Sequence, residues 1–155
     1  MTHHNPTLDI HAVNRKSQIQ RVTRLADIVW TEHYTPIIGR EQVDYMLEKF
    51  QSPMAIERQI EDGDAYYLMS VNQQDVGYFS CRGSCDELFI SKLYVLHSFQ
   101  GQGYGRQALQ FIEQLAIGRR VWLTVNKHNT NSIRFYQRQG FEIIKDVVAD
   151  IGEGY

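Results

Sequence analysis

The spacing of apolar residues changes period at Gly63, and that change restricts the fold more than any other feature of the chain. Before it, Ile19, Val22, Leu25, Ala26, Val29 and Trp30 recur at helical spacing across residues 17–34. Ser17 is placed to cap this helix, and Pro36 and Gly39 to end it. A second amphipathic helix is predicted in REQVDYMLEKF, with Val43, Met46, Leu47 and Phe50 on one stripe. Ser52-Pro53 reads as the cap and first residue of a short third helix that stops before Gly63. After Gly63 the runs DAYYLMSVN, DVGYFSCRG and ELFISKLYVL are strand-like, and Gln73-Gln74-Asp75 suits a hairpin between the first two. LDIHAVN supplies an opening strand. A helix in GRQALQFIEQLAIG, a buried strand in RRVWLTVN, a helix in NSIRFYQRQG and a last strand in FEIIKDVVADI complete the order. With no repeat or linker, residues 1–155 read as one α/β domain.

Composition narrows the function classes. Sixteen Lys and Arg against eighteen Asp and Glu give a net charge of −2, so no basic field points to nucleic acid. No apolar run approaches the roughly 20 residues that span a bilayer. The start MTHHNPTLDIHAV lacks the charged-then-apolar order of a secretory signal. Cys81 and Cys85 are the only cysteines, too few for a disulfide framework or a four-cysteine zinc site. A cytoplasmic chain with no membrane partner and no metal is the expectation.

FQGQGYGRQAL, residues 99–109, places three glycines at alternate positions ahead of a helix, which suggests close approach to the backbone. A Walker loop fails, because Gly105 is followed by Arg106-Gln107 rather than Lys-Ser/Thr. The dinucleotide pattern fits Gly103 to Ala108 loosely, but the acid expected about 20 residues later is missing. The third reading is Gln-x-x-Gly-x-Gly on Gln100, Gly103 and Gly105. Successive backbone N–H groups at a helix start make an anion site, and Arg106 could add charge.

SKLYVLHSFQGQGYGRQAL followed by WLTVNKHNTNSIRFYQRQGF resembles the Gcn5-related N-acetyltransferase (GNAT) superfamily. Gln100, Gly103 and Gly105 match its pyrophosphate motif. Asn129, Ser132, Tyr136, Gly140 and Phe141 match its second motif, Asn-x-x-Ala/Ser-x-x-x-Tyr-x-x-x-Gly-Phe. The resemblance implies a mixed, twisted central sheet flanked by helices, its two central strands splayed around acetyl-CoA, which leaves as CoA. It places the pyrophosphate on Gln100, Gly101, Gln102, Gly103, Tyr104 and Gly105, near Arg106, with Asn129, Ser132 and Tyr136 also bordering the cofactor. The pantetheine arm would pair along Leu93, Tyr94 and Val95, and the Val95 N–H would face the thioester oxygen.

Acetyl transfer to an amine needs a proton for the leaving thiolate, and the resemblance gives that role to Tyr136. Many relatives carry a glutamate base four residues before the position of Leu93, where this chain has Phe89. Strict alternation would put Glu87 on the face of Phe89, Ser91, Leu93 and Val95, which makes Glu87 the candidate carboxylate. His128 is a second titratable candidate, and the base stays open between them. Trp30, His33, Tyr34 and Tyr45, with Glu41, Asp44 and Glu48, border the expected acceptor site. An acidic, aromatic lining would suit a cationic amine, a polyamine-like small molecule or a peptide.

A different class of function stays open, an acyl-CoA sensor or assembly module without turnover, favoured by the absent glutamate. In the family the region of DVVADIGEGY usually turns into one further strand, inserted between VWLTV and FEIIKDVVADI, and Gly152 and Gly154 read as the turn that leads into it. Without that strand, those two neighbours are expected to close up on each other, or to accept a strand from a second copy and form a homodimer.

Overall fold

Each helix and strand of the computed structural model can be traced to a local signal in the sequence. The structure describes residues 7–144, in two units that meet between Leu123 and Thr124. The first unit begins with β1 (Asp9–Ala12), α1 (Lys16–Ile38), α2 (Arg40–Gln51) and α3 (Pro53–Glu61). It continues with β2 (Ala65–Val71), β3 (Gln74–Gly83), β4 (Glu87–Val95), a single 3-10 turn at His97–Phe99, α4 (Tyr104–Leu115) and β5 (Arg120–Leu123). The second unit holds α5 (Thr130–Arg138).

The five strands form one mixed sheet in the order β1-β2-β3-β4-β5. The first three pairings are antiparallel, and β4 with β5 is parallel. Helices α1, α2 and α3 cover one face. There Val22, Leu25, Ala26, Trp30, Val43, Met46 and Ile56 pack with Tyr66, Leu68 and Tyr78 of the sheet. On the other face Tyr67 stacks on Phe79 at 4.9 Å, and Phe111 of α4 meets both rings edge-on. Each fully buried side chain of this size contributes about 2–3 kcal/mol.

A polar network fixes α2 and α3 to the first face. Tyr78 donates to Gln51 Oε1 at 2.6 Å, Gln51 Nε2 donates to the Tyr66 hydroxyl at 3.2 Å, and Tyr66 donates to Gln59. The side-chain groups of Tyr78, Gln51, Tyr66 and Gln59 are thus joined in one hydrogen-bonded network, which holds the helices instead of costing stability. Burial lifts the Tyr66 phenol to about 12.

Local chemistry revises several sequence expectations. Ser17 does not cap α1: the Gln18 side chain reaches back to the N–H groups of Asn14 and Arg15 at 2.8 and 3.0 Å, starting the helix earlier. Pro36 lies inside α1, whose last turn closes when the Gly39 N–H meets Thr35 O at 2.9 Å. The β2–β3 turn is the pair Asn72-Gln73, both at positive φ, not Gln73-Gln74-Asp75. This handedness matches the twist of the flanking strands. The strand in RRVWLTVN is not buried: none of its four residues is, and Trp122 is 39% exposed. Among the described residues, β5 pairs on one side only, which leaves it an edge strand. The last strand expected in FEIIKDVVADI has no regular structure over residues 141–144. Its remainder, and the expected strand exchange, lie outside the described residues. Ser52 does cap α3, accepting from Ala55 N at 3.2 Å, with Pro53 next.

Two bulges break the ladder. Met69 pairs with Gly77 and Ser70 with Asp75, so Val76 is extra in β3. Ser80 pairs with Lys92 and Cys81 with Ile90, so Ser91 is extra in β4. The Ser91 hydroxyl donates to Ser80 O at 3.2 Å and lies 2.5 Å from the Ser80 hydroxyl, which fills the irregularity with hydrogen bonds.

Candidate active site

The bulge at Ser91 sets the geometry of the site. A bulge bends and twists its strand, and β4 stays paired to β5 only over Glu87–Ile90, the four residues before it. From Ser91 to Val95 no strand of the described residues flanks that edge. Which backbone groups face the opening follows from one bond: Leu96 N–H donates to Val76 O at 2.8 Å. In an antiparallel ladder alternate residues point to the same neighbour. The N–H and C=O groups of Tyr94 and Lys92 therefore face β3, and those of Leu93 and Val95 face the opening. The Val95 carbonyl is met there by Gln100 Nε2 at 3.0 Å, which leaves the Val95 N–H directed into it.

The glycine loop begins beside this edge. Gly101 and Gly103 hold φ of 80° and 85°, and Gly103 starts α4 in the left-handed conformation. The first helical bond runs from Gln107 N to Gly103 O at 3.0 Å. The N–H groups of Tyr104, Gly105 and Arg106 therefore have no partner within the helix. No side chain caps this end, and no acid sits in the first turn. Tyr104, only 3% exposed, anchors the helix start, while Arg106 is exposed. A Cβ built on Gly101 or Gly103 meets nothing within 4 Å. The loop thus needs glycine for its backbone angles and for open space, not to fit against the rest of the protein. Donors, a helix N-terminus and unfilled space fit a pyrophosphate. The backbone groups of Leu93 and the N–H of Val95, which face the opening, fit an extended amide arm, so the residues present suit coenzyme A.

The predicted acceptor residues are only partly gathered. Trp30 packs edge-on against Tyr34 at 5.6 Å and Tyr94 at 6.2 Å, joining two of them to the strand of the opening. His33 meets Tyr34 at 4.7 Å. Tyr45 packs against the core on α2, with the Lys49 ammonium 5.6 Å from its ring. Asp44 pairs with Arg40 at 2.9 Å, and with Glu48 it lines a groove against α1 that Asp27 and Arg24 share.

Glu87 is not brought to the opening. It begins β4, eight residues from Val95, or about 26 Å of strand, and its carboxylate meets Arg120 at 2.8 Å. Nor does it share a face with Leu93 and Val95. Directly paired residues lie on the same face, and Phe89 pairs with Arg82 whereas Leu93 pairs with Phe79. The extra residue Ser91 reverses the alternation, so Glu87 and Phe89 share the face of Lys92 and Tyr94. Lys92 was not singled out by sequence. Burial lowers its ammonium pKa against the pull of Asp64, and it sits 5.6 Å from the Tyr66 ring.

In the second unit, the Gly-Phe motif proves to be helix architecture. Asn129 caps α5, its side chain accepting from Ser132 N at 3.2 Å. At the other end Gly140 adopts φ of 97°, its N–H meets Gln137 O, and Phe141 N–H meets Tyr136 O, both at 3.0 Å. That bonding is a Schellman cap, completed by Phe141 against the Tyr136 ring at 5.6 Å. The cap holds Tyr136 in place, and burial raises its phenol to about 12. His128 lies in the loop before α5, its N–H bound to Asn126 Oδ1 at 2.8 Å.

Cys81 is buried and its thiol is pushed up to about 12 by desolvation, while Cys85 is exposed. Among the described residues no cluster of His, Cys, Asp and Glu is arranged to hold a metal, and no helix is long and apolar enough to cross a membrane.

A parted strand edge beside an uncapped, glycine-led helix is an arrangement that an extended, anionic ligand fits. The chain belongs to the acetyltransferase (GNAT) family, whose model matches residues 23–141. It is 28% identical over 104 residues to an uncharacterized N-acetyltransferase in the pepI 3′ region of Lactobacillus delbrueckii subsp. lactis, a match covering 59% of each chain. The chain thus spans little more than half the length of that relative. Its fold is similar to that of PaiA N-acetyltransferase from Thermoplasma acidophilum, solved in complex with coenzyme A. There the TM-score is 0.81 at 15% identity, over 91% of this chain and 93% of the other. It is also similar to an aminoglycoside acetyltransferase from an uncultured soil metagenomic sample, in complex with sisomicin. That comparison has a TM-score of 0.68 at 14% identity, over 92% and 93% of the two chains.

Proposed function

We propose that the chain is an N-acetyltransferase that uses acetyl-CoA and transfers the acetyl group directly to an amine of a small molecule, polyamine-like in character. The observation that carries the reading is the opening along β4, where the Val95 N–H points outward and the uncapped start of α4 lies one side-chain bond away.

Bound acetyl-CoA supplies an activated thioester. The N–H groups of Tyr104, Gly105 and Arg106 bind its pyrophosphate, and Gly101 and Gly103 leave that approach clear. The Val95 N–H donates to the carbonyl oxygen that gains charge as the amine nitrogen attacks, an arrangement worth most where water is excluded. By the family resemblance Tyr136 would donate a proton to the departing sulfur, and its phenolate would regain one from the newly bonded amine nitrogen, so that amide and free thiol form with no net proton change. Its raised pKa keeps the phenol protonated throughout the neutral range. Direct transfer is favoured because the Cys81 thiol, held near 12, is a poor nucleophile at neutral pH. Glu87, paired with Arg120, stands outside this machinery.

Trp30, Tyr34 and Tyr45 border the acceptor site, with a cationic chain as the preferred acceptor. The aminoglycoside acetyltransferase with sisomicin bound supports a small amine over a folded protein as the acceptor class. Free thiol release from acetyl-CoA, measured against a panel of diamines, polyamines, aminoglycosides and peptide N-termini, tests the reading. Release that depends on one amine class is expected. CoA binding without release for any amine would favour a sensor instead.

A further inference from the structure

We infer that Gln100 is a positioning residue that sets the register of the CoA arm along β4, an inference that rests on the acetyltransferase reading above. The Gln100 side chain lies exposed at the head of the glycine loop, and its amide donates to the Val95 carbonyl at 3.0 Å. Val95 is the last residue of β4, and its backbone groups face the opening. An arm lying along this edge pairs as an added strand would, and acceptors on that edge recur every second residue.

Gln100 occupies the terminal acceptor. The nearest carbonyl left for an amide of the arm is that of Leu93, about 7 Å back along the strand. The side chain therefore excludes one of two registers and leaves the Val95 N–H unopposed for the thioester oxygen. Without it the arm can slide by one repeat, which carries the thioester past that N–H. The same hydrogen bond joins the loop that holds the pyrophosphate to the strand that holds the arm, so both ends of the ligand are measured from one residue. A backbone-only role for the loop would make the identity of this side chain irrelevant.

The test compares wild type, Gln100→Ala and Gln100→Arg, the last because a guanidinium donates to a carbonyl again. Turnover with the best amine is measured beside calorimetric titration of CoA and of 3′-phosphoadenosine 5′-diphosphate, the nucleotide half that lacks the arm. Gln100→Ala is expected to lower kcat about tenfold, the scale of one lost hydrogen bond at a reacting centre. KM should move less than about threefold, and affinity for the nucleotide half should stay unchanged. Gln100→Arg should recover most of the lost kcat. An equal loss of affinity for the nucleotide half would overturn the inference, because the residue would then only brace the loop. Unchanged kcat in Gln100→Ala, or no recovery in Gln100→Arg, would overturn it as well. Wild type that turns over normally isolates such a failure to Gln100, whereas wild type that does not bind CoA would overturn the acetyltransferase reading too.

Discussion

Gly77→Ala is expected to damage the opening without touching it. Gly77 lies on β3 opposite Val95. A Cβ built there falls well inside contact distance of the Tyr94 carbonyl oxygen, and 3.2 Å from both Tyr94 C and Val95 Cα. The obstacle is backbone, so no side chain can swing away. Relief requires β3 and β4 to part by about 1 Å beyond their usual spacing of about 4.8 Å. The bond from Leu96 N to Val76 O, now 2.8 Å, would then exceed hydrogen-bonding range. Overpacking costs about 1–3 kcal/mol, and the weakened ladder adds about 1 kcal/mol. The sum, about 2–4 kcal/mol, lowers the Tm of a domain this size by roughly 5–15 °C. Gly83→Ala is the control in the same strand. Its Cβ would meet Arg119 Nη1 at 2.5 Å and Leu88 Cδ1 at 3.3 Å, and a flexible arginine end can move aside. Thermal unfolding and CoA calorimetry on both variants decide the matter. A Gly77→Ala protein within 2 °C of wild type (about 1 kcal/mol or less) and with unchanged CoA affinity would refute the reasoning.

Other expectations are simpler. Gly103→Val should abolish CoA binding while leaving the protein folded, because the added side chain enters the space reserved for the ligand at a strained φ of 85°; calorimetry and circular dichroism check both halves. Tyr136→Phe should reduce kcat by about 10²–10⁴-fold with CoA affinity intact, whereas Glu87→Gln should cost less than about threefold if its ion pair is purely structural. Stability should fall as pH rises. Tyr66 and Tyr136 have folded pKa values raised to about 12 from 10.0, and Cys81 to about 12 from 9.0. Their stabilising effect is complete below about pH 9 and is lost between that value and 12, which unfolding midpoints measured from pH 8 to 11 will show.

Local signals proved dependable where one residue's chemistry decides a boundary. Ser52-Pro53 starts a helix because a hydroxyl acceptor and a fixed φ suit those two positions. Asn129 and Gly140 bracket α5 for similar reasons. The glycine loop was legible because positive φ and absent side chains restrict which residue can stand there. The face assignment of Glu87 failed on a different ground. It assumed unbroken alternation across β4, and a bulge is decided by the partner strand and by what Ser80 can bond, neither of which is written in the run ELFISKLYVL. The same limit hid Gln100. Its motif position was visible, but the carbonyl it meets depends on which way the end of β4 faces. The cap on α1 was missed because glutamine served where serine was expected.

The extra residue in β4 also governs how the chain tolerates insertions and deletions. Removing Ser91 would bring Ile90 and Lys92 together opposite Cys81 and Ser80, their present partners. Leu88 and Ile90 would stay on the side of α4, as would Leu93 and Val95, and the ladder would simply become regular. A one-residue deletion in a central strand ordinarily inverts everything beyond it. Here it would leave both apolar faces intact and remove only the bend that parts β4 from β5. The length of this strand is therefore under separate control from its hydrophobic pattern: the pattern holds the sheet together, and one surplus serine holds it open.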